Sequence, residues 1–285
     1  MKLNIKNAMN ITDINGYAEL SNGVKMPYLG LGTYLTKEGN EVIDATLIAL
    51  EAGYRHIDTA AIYGNENGVG KAIKDSTIAR NELFITTKVW NSKQGYESSL
   101  KAFDESLLAL GLDYIDLYLI HWPTKGKYKE TWRALEKLYR DGLVKSIGVS
   151  NFNVHHLEDL LTTAEIVPMV NQVEYHPYLL QKPLTDFCAK HNIQYESWSP
   201  LMQGHITKVP ILNALAKKYQ KTEAQIVIRW NLQNNIVVIP KSAKKDRIVS
   251  NAQIFDFVIS DDDMKTIDAL DKNYRFGADP DNFNF

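Results

Sequence analysis

Between Leu29 and Ile239 the chain repeats one pattern, an apolar run of strand length followed by a longer stretch of helical period. The runs are Leu29 to Thr33, His56 to Thr59, Leu83 to Val89, Tyr114 to His121, Lys145 to Ser150, Met169 to Glu174, Gln194 to Ser199 and Ile236 to Ile239. Most are apolar at successive rather than alternate positions, as strands covered on both faces should be. Between them Glu41 to Ala52, Tyr96 to Leu110, Tyr128 to Tyr139 and Val154 to Leu161 carry apolar residues at helical spacing, several closed by glycine, as at Gly53, Gly111 and Gly142. Eight such units predict a (β/α)8 TIM barrel, although a doubly wound open sheet satisfies the same pattern.

The residues outside the repeat are few. Ser21 to Val24 supply the turn of an N-terminal hairpin, and Thr222 to Asn234 and Asp261 to Leu270 read as extra helices near the C-terminus. The closing stretch from Asp279 to Phe285 has no periodicity and is expected to lie extended on the surface. No linker or change of composition divides residues 1–285, so a single domain is expected.

Charge and cysteine content exclude several partners. Lys plus Arg number 32 against 34 for Asp plus Glu, a net charge of -2, and no like-charge run suggests nucleic acid or a membrane surface. Met1 to Asn7 lacks the apolar core of a signal peptide, and no apolar run is long enough for a bilayer. The single cysteine, Cys188, precludes an intramolecular disulfide and reads as a packed thiol on an amphipathic helix. A cytoplasmic protein is expected, a monomer or a weak homo-oligomer.

Polar residues collect where the strands end: Asp58, Lys88, His121, Ser150 with Asn151, Gln172 with Glu174, Trp198 with Ser199, and Lys241 with Ser242. In a barrel those ends carry the active site. Any one of them has a structural explanation, but so many costly groups at one end of the strands need a reason. Asp58, Tyr63, Lys88 and His121 together offer a phenol, an ammonium, a carboxylate to hold that ammonium, and an imidazole. Tyrosine ionises near pH 10, and a neighbouring ammonium is expected to lower that value and ease proton release. This set suits protonation of a carbonyl oxygen while hydride arrives at its carbon.

Hydride must come from a cofactor. The glycines at 30, 32, 64, 68 and 70 do not form a dinucleotide fingerprint. Trp198 could instead stack on a flat ring, and Lys241, Ser242 and Arg247 could bind a phosphate.

At this point the chain resembles the aldo-keto reductases. The resemblance is carried by Gly53 to Glu66 (GYRHIDTAAIYGNE), Thr86 to Trp90 (TTKVW), Leu112 to Pro123 (LDYIDLYLIHWP), Ile147 to Phe152 (IGVSNF), Asn171 to Pro177 (NQVEYHP), Trp198 to Leu201 (WSPL) and Ile239 to Ser242 (IPKS), in the family's order. It implies a (β/α)8 barrel reducing aldehydes and ketones with NADPH. It also implies Tyr63 as proton donor, Lys88 and Asp58 as its tuning pair, and His121 orienting the carbonyl. Ser150, Asn151 and Gln172 resemble the carboxamide-holding residues, and Trp198 the nicotinamide-stacking aromatic. Thr33, Ser199, Leu201 and Ile239 fall among the cofactor contacts, with Ser199 and Leu201 in the pyrophosphate loop. Lys241, Ser242 and Arg247 match the 2′-phosphate site, and Asn251 an adenine contact.

Ser250 departs from the glutamate that many relatives carry before that asparagine, so one cofactor hydrogen bond is missing or replaced. Tyr34, Trp90 and Trp122 fall where the family lines its substrate pocket. The stretches from Lys88 to Glu97 and from Met169 to Pro177 look most like the bacterial branch that includes glyoxal and methylglyoxal reductases, which implies small dicarbonyls as substrates.

Three rival readings predict different features. A metal-dependent barrel hydrolase would use His56 and Asp58, two apart on one strand, as ligands. A Schiff-base aldolase would use Lys88, against which the neighbouring carboxylate argues. A cofactor-bearing redox-sensing regulatory subunit would bind NADPH without significant turnover.

Overall fold

The computed structural model describes residues 11–285. The segment Met1 to Asn7, read above as lacking a signal core, lies outside them. The first two strands, β1 (Tyr17–Glu19) and β2 (Lys25–Pro27), form the expected antiparallel hairpin, pairing Ala18 with Met26. Gly23 adopts φ 85 in its turn, a left-handed conformation that glycine enters without steric cost.

The eight expected strands all form. They are β3 (Gly30–Gly32), β4 (His56–Asp58), β5 (Phe84–Val89), β6 (Ile115–Ile120), β7 (Val144–Ser150), β8 (Val170–Glu174), β9 (Gln194–Trp198) and β10 (Val237–Val238). They pair in parallel and in chain order from β3 to β10. Bridges from Leu29 to Val238 and from Gly32 to Lys241 bring the ends of the sheet together, with Val238 N–H donating to Tyr28 O at 2.9 Å. This is the barrel, and the open-sheet alternative is discarded. β5, β6 and β8 are buried at every position, which is why their sequences do not alternate.

The helices Asn40–Glu51, Tyr96–Leu110, Tyr128–Arg140 and Val154–Leu161 follow the expected segments within a residue or so. The extra helices are Glu223–Gln233, capped by Thr222 with Gln225 in reciprocal hydrogen bonds, and Asp261–Asp268.

The helix Glu66–Asp75 fills the interval between β4 and β5 that the repeat calls for but for which no bounds were read, since Gly68 and Gly70 lower its propensity. Packing explains both glycines: a Cβ on Gly68 would meet Val42 Cγ1 at 2.3 Å, and one on Gly70 would meet Leu110 O at 2.1 Å. They mark close helix contact rather than a nucleotide loop. Lys182–Lys190 carries Cys188 on its buried side, and burial pushes the thiol up to about 12, consistent with an inert packed group.

Candidate active site

Strand register assembles the interior of the site. Asp58 pairs with Thr86 across β4 and β5, so Lys88, two residues on, points inward one layer higher. Lys88 Nζ donates to Asp58 Oδ1 at 2.7 Å and to Thr59 O at 2.8 Å, with the Lys88 side chain 0% and that of Asp58 2% exposed. The strand carboxylate is thus the counter-ion of a lysine that has no water to solvate it.

From the opposite wall, on β8, Gln172 reaches across the barrel and its Nε2 donates to Asp58 Oδ2 at 2.7 Å. The same nitrogen donates to Glu196 Oε2 at 2.9 Å, Glu196 being the residue that faces Gln172 in the β8–β9 register. Asp58 is pushed upward by burial and held back by the Lys88 charge and by the hydrogen bonds of Lys88 and Gln172.

Above this layer the chain leaves β4 into a single 3-10 turn, Ala61–Tyr63, ended by Gly64 at φ 65. That turn places the Tyr63 ring 5.2 Å from Lys88 Nζ and 5.7 Å from the His121 ring. The expected depression of the Tyr63 pKa is not found. Its hydroxyl is raised well above 10, by burial first and then by the charges of Asp58, Tyr34 and Glu196. Burial is the main reason, and the Asp58 charge adds to it, so Tyr63 is held protonated rather than poised to ionise.

His121 follows β6, its N–H bonded to Val89 O at 3.2 Å, and its ring lies 5.1 Å from that of Trp90. Burial first and the Lys88 charge second hold it well below 6.5, so the imidazole is neutral. Its Nδ1 is buried without a hydrogen-bond partner.

Ser150, Asn151, Gln172 and Trp198 come together beside this group. Ser150 Oγ donates to Gln172 O at 2.8 Å, Asn151 Nδ2 donates to His121 O at 2.9 Å, and Trp198 Nε1 donates to Asn151 Oδ1 at 2.9 Å. Asn151 adopts φ 64, which turns the chain back under the indole. Thr33 Oγ1 donates to Asp58 O at 3.0 Å and so supports the strand end from β3.

Ser199 and Leu201 begin a loop whose residues Ser199, Met202, Gln203 and Gly204 all have positive φ. The turn is tight: Met202 N–H donates to Ser199 O at 2.9 Å and Gly204 N–H to Leu201 O at 2.8 Å. Ile239 and Ser242 are buried, Asn251 is 5% exposed on the helix Lys245–Ala252, and Lys241 and Arg247 are exposed beside them. Lys241 Nζ reaches Leu35 O at 3.2 Å, across the seam of the barrel.

Tyr34, Trp90 and Trp122 line the mouth, and the C-terminal stretch joins them. Phe285 stacks on Trp90 with centroids 5.8 Å apart and planes at 8°, and Phe283 packs 5.1 Å from Trp122. The tail lies on the surface as expected, with Asp279, Asp281, Asn282, Asn284 and Phe285 exposed, but it is held there: its aromatic rings find partners on the mouth, and Asn91 Nδ2 donates to Phe285 O at 3.1 Å. Sequence reasoning missed Phe283 and Phe285, for which the paired aromatics of Phe283-Asn284-Phe285 were the available signal. It also passed over Glu196, though a carboxylate within an apolar strand is the same signal that singled out Asp58.

The rival metal site does not assemble. His56 Nε2 contacts Thr86 Oγ1 at 3.1 Å, and among the described residues only His155, His156 and Asp281 form a group of three metal-capable side chains, outside the barrel. His155 is exposed and His156 half-buried at the start of their helix.

Residues 28–272 match the aldo/keto reductase family. The chain belongs to that family. It is 57% identical to the glyoxal reductase of Bacillus subtilis over 96% of this chain and 99% of that protein. It is 48% identical to the methylglyoxal reductase DkgA of Escherichia coli, over 93% and 97% respectively. A solved complex of a Gox0644 mutant with NADPH superimposes with a TM-score of 0.90 at 45% identity, covering 94% of this chain and 98% of that one. Membership makes the chain an oxidoreductase of a family that uses NADP(H), and among the described residues no helix is long and apolar enough to cross a membrane.

Proposed function

We propose that the chain reduces small aldehydes and α-dicarbonyls, among them glyoxal and methylglyoxal, with NADPH. The observation that carries this reading is the buried Lys88–Asp58 pair beneath Tyr63, with a neutral His121 whose Nδ1 lacks a partner, under a mouth of aromatic rings. The identity to the Bacillus glyoxal reductase points to the same substrate class.

The residues present fit the cofactor. Gln172 spends its amide nitrogen on two carboxyls, which leaves Oε1 to accept from a carboxamide, while Ser150 and Asn151 flank it. Trp198 presents a partly open face, and Lys241, Ser242 and Arg247 offer charge and a hydroxyl to a phosphate. Bound NADPH supplies hydride. Tyr63, kept protonated by its surroundings, donates its proton to the carbonyl oxygen as negative charge builds there. Lys88 then stabilises the phenolate at short range, where its charge matters most. His121, neutral, orients the carbonyl by a single N–H and does not compete as an acid. A Schiff-base role for Lys88 is disfavoured because the salt bridge holds the ammonium form, which has no lone pair.

The test is NADPH consumption with methylglyoxal in EDTA, comparing wild type with Tyr63→Phe. Consumption by wild type and loss of about 10²–10⁴-fold in the variant is expected. Equal rates would remove Tyr63 from the chemistry, and NADPH binding without consumption across a panel of carbonyls would favour the redox-sensing reading.

A further inference from the structure

Glu196 is a buried carboxyl that the proposed chemistry leaves without a task. It lies on β9 with its side chain 0% exposed, and its register partner on β8 is Gln172. An amide nitrogen has two hydrogens. Gln172 gives one to Asp58 Oδ2 at 2.7 Å and the other to Glu196 Oε2 at 2.9 Å. With Asp58 alone, the amide would be held by a single hydrogen bond, its second hydrogen would have no acceptor, and the side chain could tilt about that one contact. With both carboxyls in place the nitrogen is committed inward.

We infer that Glu196 is a positioning residue for the reduction: it locks the Gln172 amide so that Oε1, an acceptor, is what the nicotinamide carboxamide meets. This rests on the reading that NADPH binds at this face.

The groups facing Glu196 define its electrostatics. They are His56 and Asp58 on β4, Thr86 and Lys88 on β5, Gln172 on β8, and Tyr63 above, while β10 on its other side presents Val237 and Val238. Among the described residues Lys88 is the one cation that acts on both carboxyls. Burial first and the Asp58 charge second push Glu196 up to about 8, so at neutral pH it carries a proton and Lys88 keeps a single counter-ion. Its other oxygen, Oε1, stands 3.7 Å from His56 Nε2 and makes no hydrogen bond. Above pH ~8 a second negative charge would appear beneath Tyr63 and make it a weaker acid.

NADPH titration by quenching of tryptophan fluorescence, with the pH profile of methylglyoxal reduction, tests this on wild type, Glu196→Leu and Glu196→Gln. Wild type should bind NADPH and lose kcat above pH ~8. Glu196→Leu should weaken NADPH about ten-fold, because the freed amide samples the wrong orientation. Glu196→Gln, whose amide oxygen still accepts from Gln172, should recover most of that affinity and lack the fall above pH ~8. A folded Glu196→Leu with wild-type affinity overturns the inference, as does an unchanged alkaline fall in Glu196→Gln. If Glu196→Leu does not fold, the NADPH affinity of Glu196→Met decides in its place, and wild-type affinity there overturns the inference. A wild type that binds no NADPH overturns the functional reading and this inference with it, before any variant is compared.

Discussion

Inside the barrel, Lys88, Asp58, Gln172 and Glu196 are dry, and hydrogen bonds of 2.7–2.9 Å between strands fix them. At the mouth, Tyr34, Trp90, Trp122, Phe283 and Phe285 meet only as rings, and Tyr34 and Phe285 stay more than half exposed. The interior is specified because an unpaired charge there is expensive, whereas a ring at the mouth loses little if it moves. Chemistry common to all substrates belongs in the first setting and choice among substrates in the second. Changes to the two regions should therefore fail differently, the interior in stability and turnover, the mouth in KM.

The largest effect is expected from Lys88→Met. It leaves Asp58 buried without its cation, which should cost about 3–5 kcal/mol in urea unfolding and about 10²–10⁴-fold in turnover. Adding Asp58→Leu should restore much of the stability, since two apolar residues replace the pair, but none of the turnover. If the double variant regains activity, the interior is scaffold and not chemistry.

A pH effect on stability comes next. Burial first and the Lys88 charge also push His56 down to about 3. The unfolded chain takes up that proton near 6.5, so His56 costs nothing above that value and subtracts about 1.4 kcal/mol per unit as pH falls from 6.5 toward 3. His121 acts in the same direction. Glu196, pushed up to about 8, gains stability over the same range, so the His56 contribution is read by difference: the unfolding free energies of wild type and His56→Gln in urea should diverge by about 2 kcal/mol between pH 7 and 5. A difference that does not change with pH would place the acid sensitivity elsewhere.

The same division explains what could be read from the sequence. Asp58, Lys88 and His121 announce themselves because each is a costly side chain in or beside an apolar strand, and register carries it to one place. Glu66–Asp75 was hidden because its glycines answer to Val42 and Leu110, and nothing near them in sequence says so. The Tyr63 environment was misread because the burial of the phenol was not counted, and the charge of Asp58 was counted as holding Lys88 and not as acting on the phenol. The tail was illegible because Phe285 meets Trp90 and Asn91 across some 194 residues, and a short polar stretch with two aromatics has no local pattern to predict that.

Phe285→Ala should confine its effect to the mouth. It removes the ring stacked on Trp90 and edge-on to Trp122. KM for an aromatic dicarbonyl such as phenylglyoxal should rise about ten-fold, the order of one lost aromatic contact, and KM for methylglyoxal by less. NADPH affinity and the urea midpoint should stay near wild type. A loss of NADPH affinity would show that the two regions are coupled and that the comparison fails.

The smallest effect is expected at Asp281, which ties the tail down four residues before Phe285. Its carboxylate accepts from Asn153 Nδ2 at 2.9 Å and lies 2.9 Å from His155 Nε2 and 3.5 Å from His156 Nε2. Asn153 N–H donates to His156 Nδ1 at 3.2 Å, which leaves the His156 proton on Nε2, aimed at Asp281. Burial first and then the His155 charge push His156 down to about 4, so at neutral pH it is uncharged and adds no ion pair to Asp281. The Asp281 and His155 side chains are about half exposed, 49% and 60%, and such contacts contribute about 0–1 kcal/mol. Asp281→Ala should therefore leave stability within about 1 kcal/mol and raise the phenylglyoxal KM only about two- to three-fold. If Asp281 acts by holding Phe285 in place, the change should vanish in a Phe285→Ala background, where there is no ring left to position. Additive effects in the double variant would mean that Asp281 reaches the substrate by some route other than the tail, and the mouth would then be more firmly built than its exposure suggests.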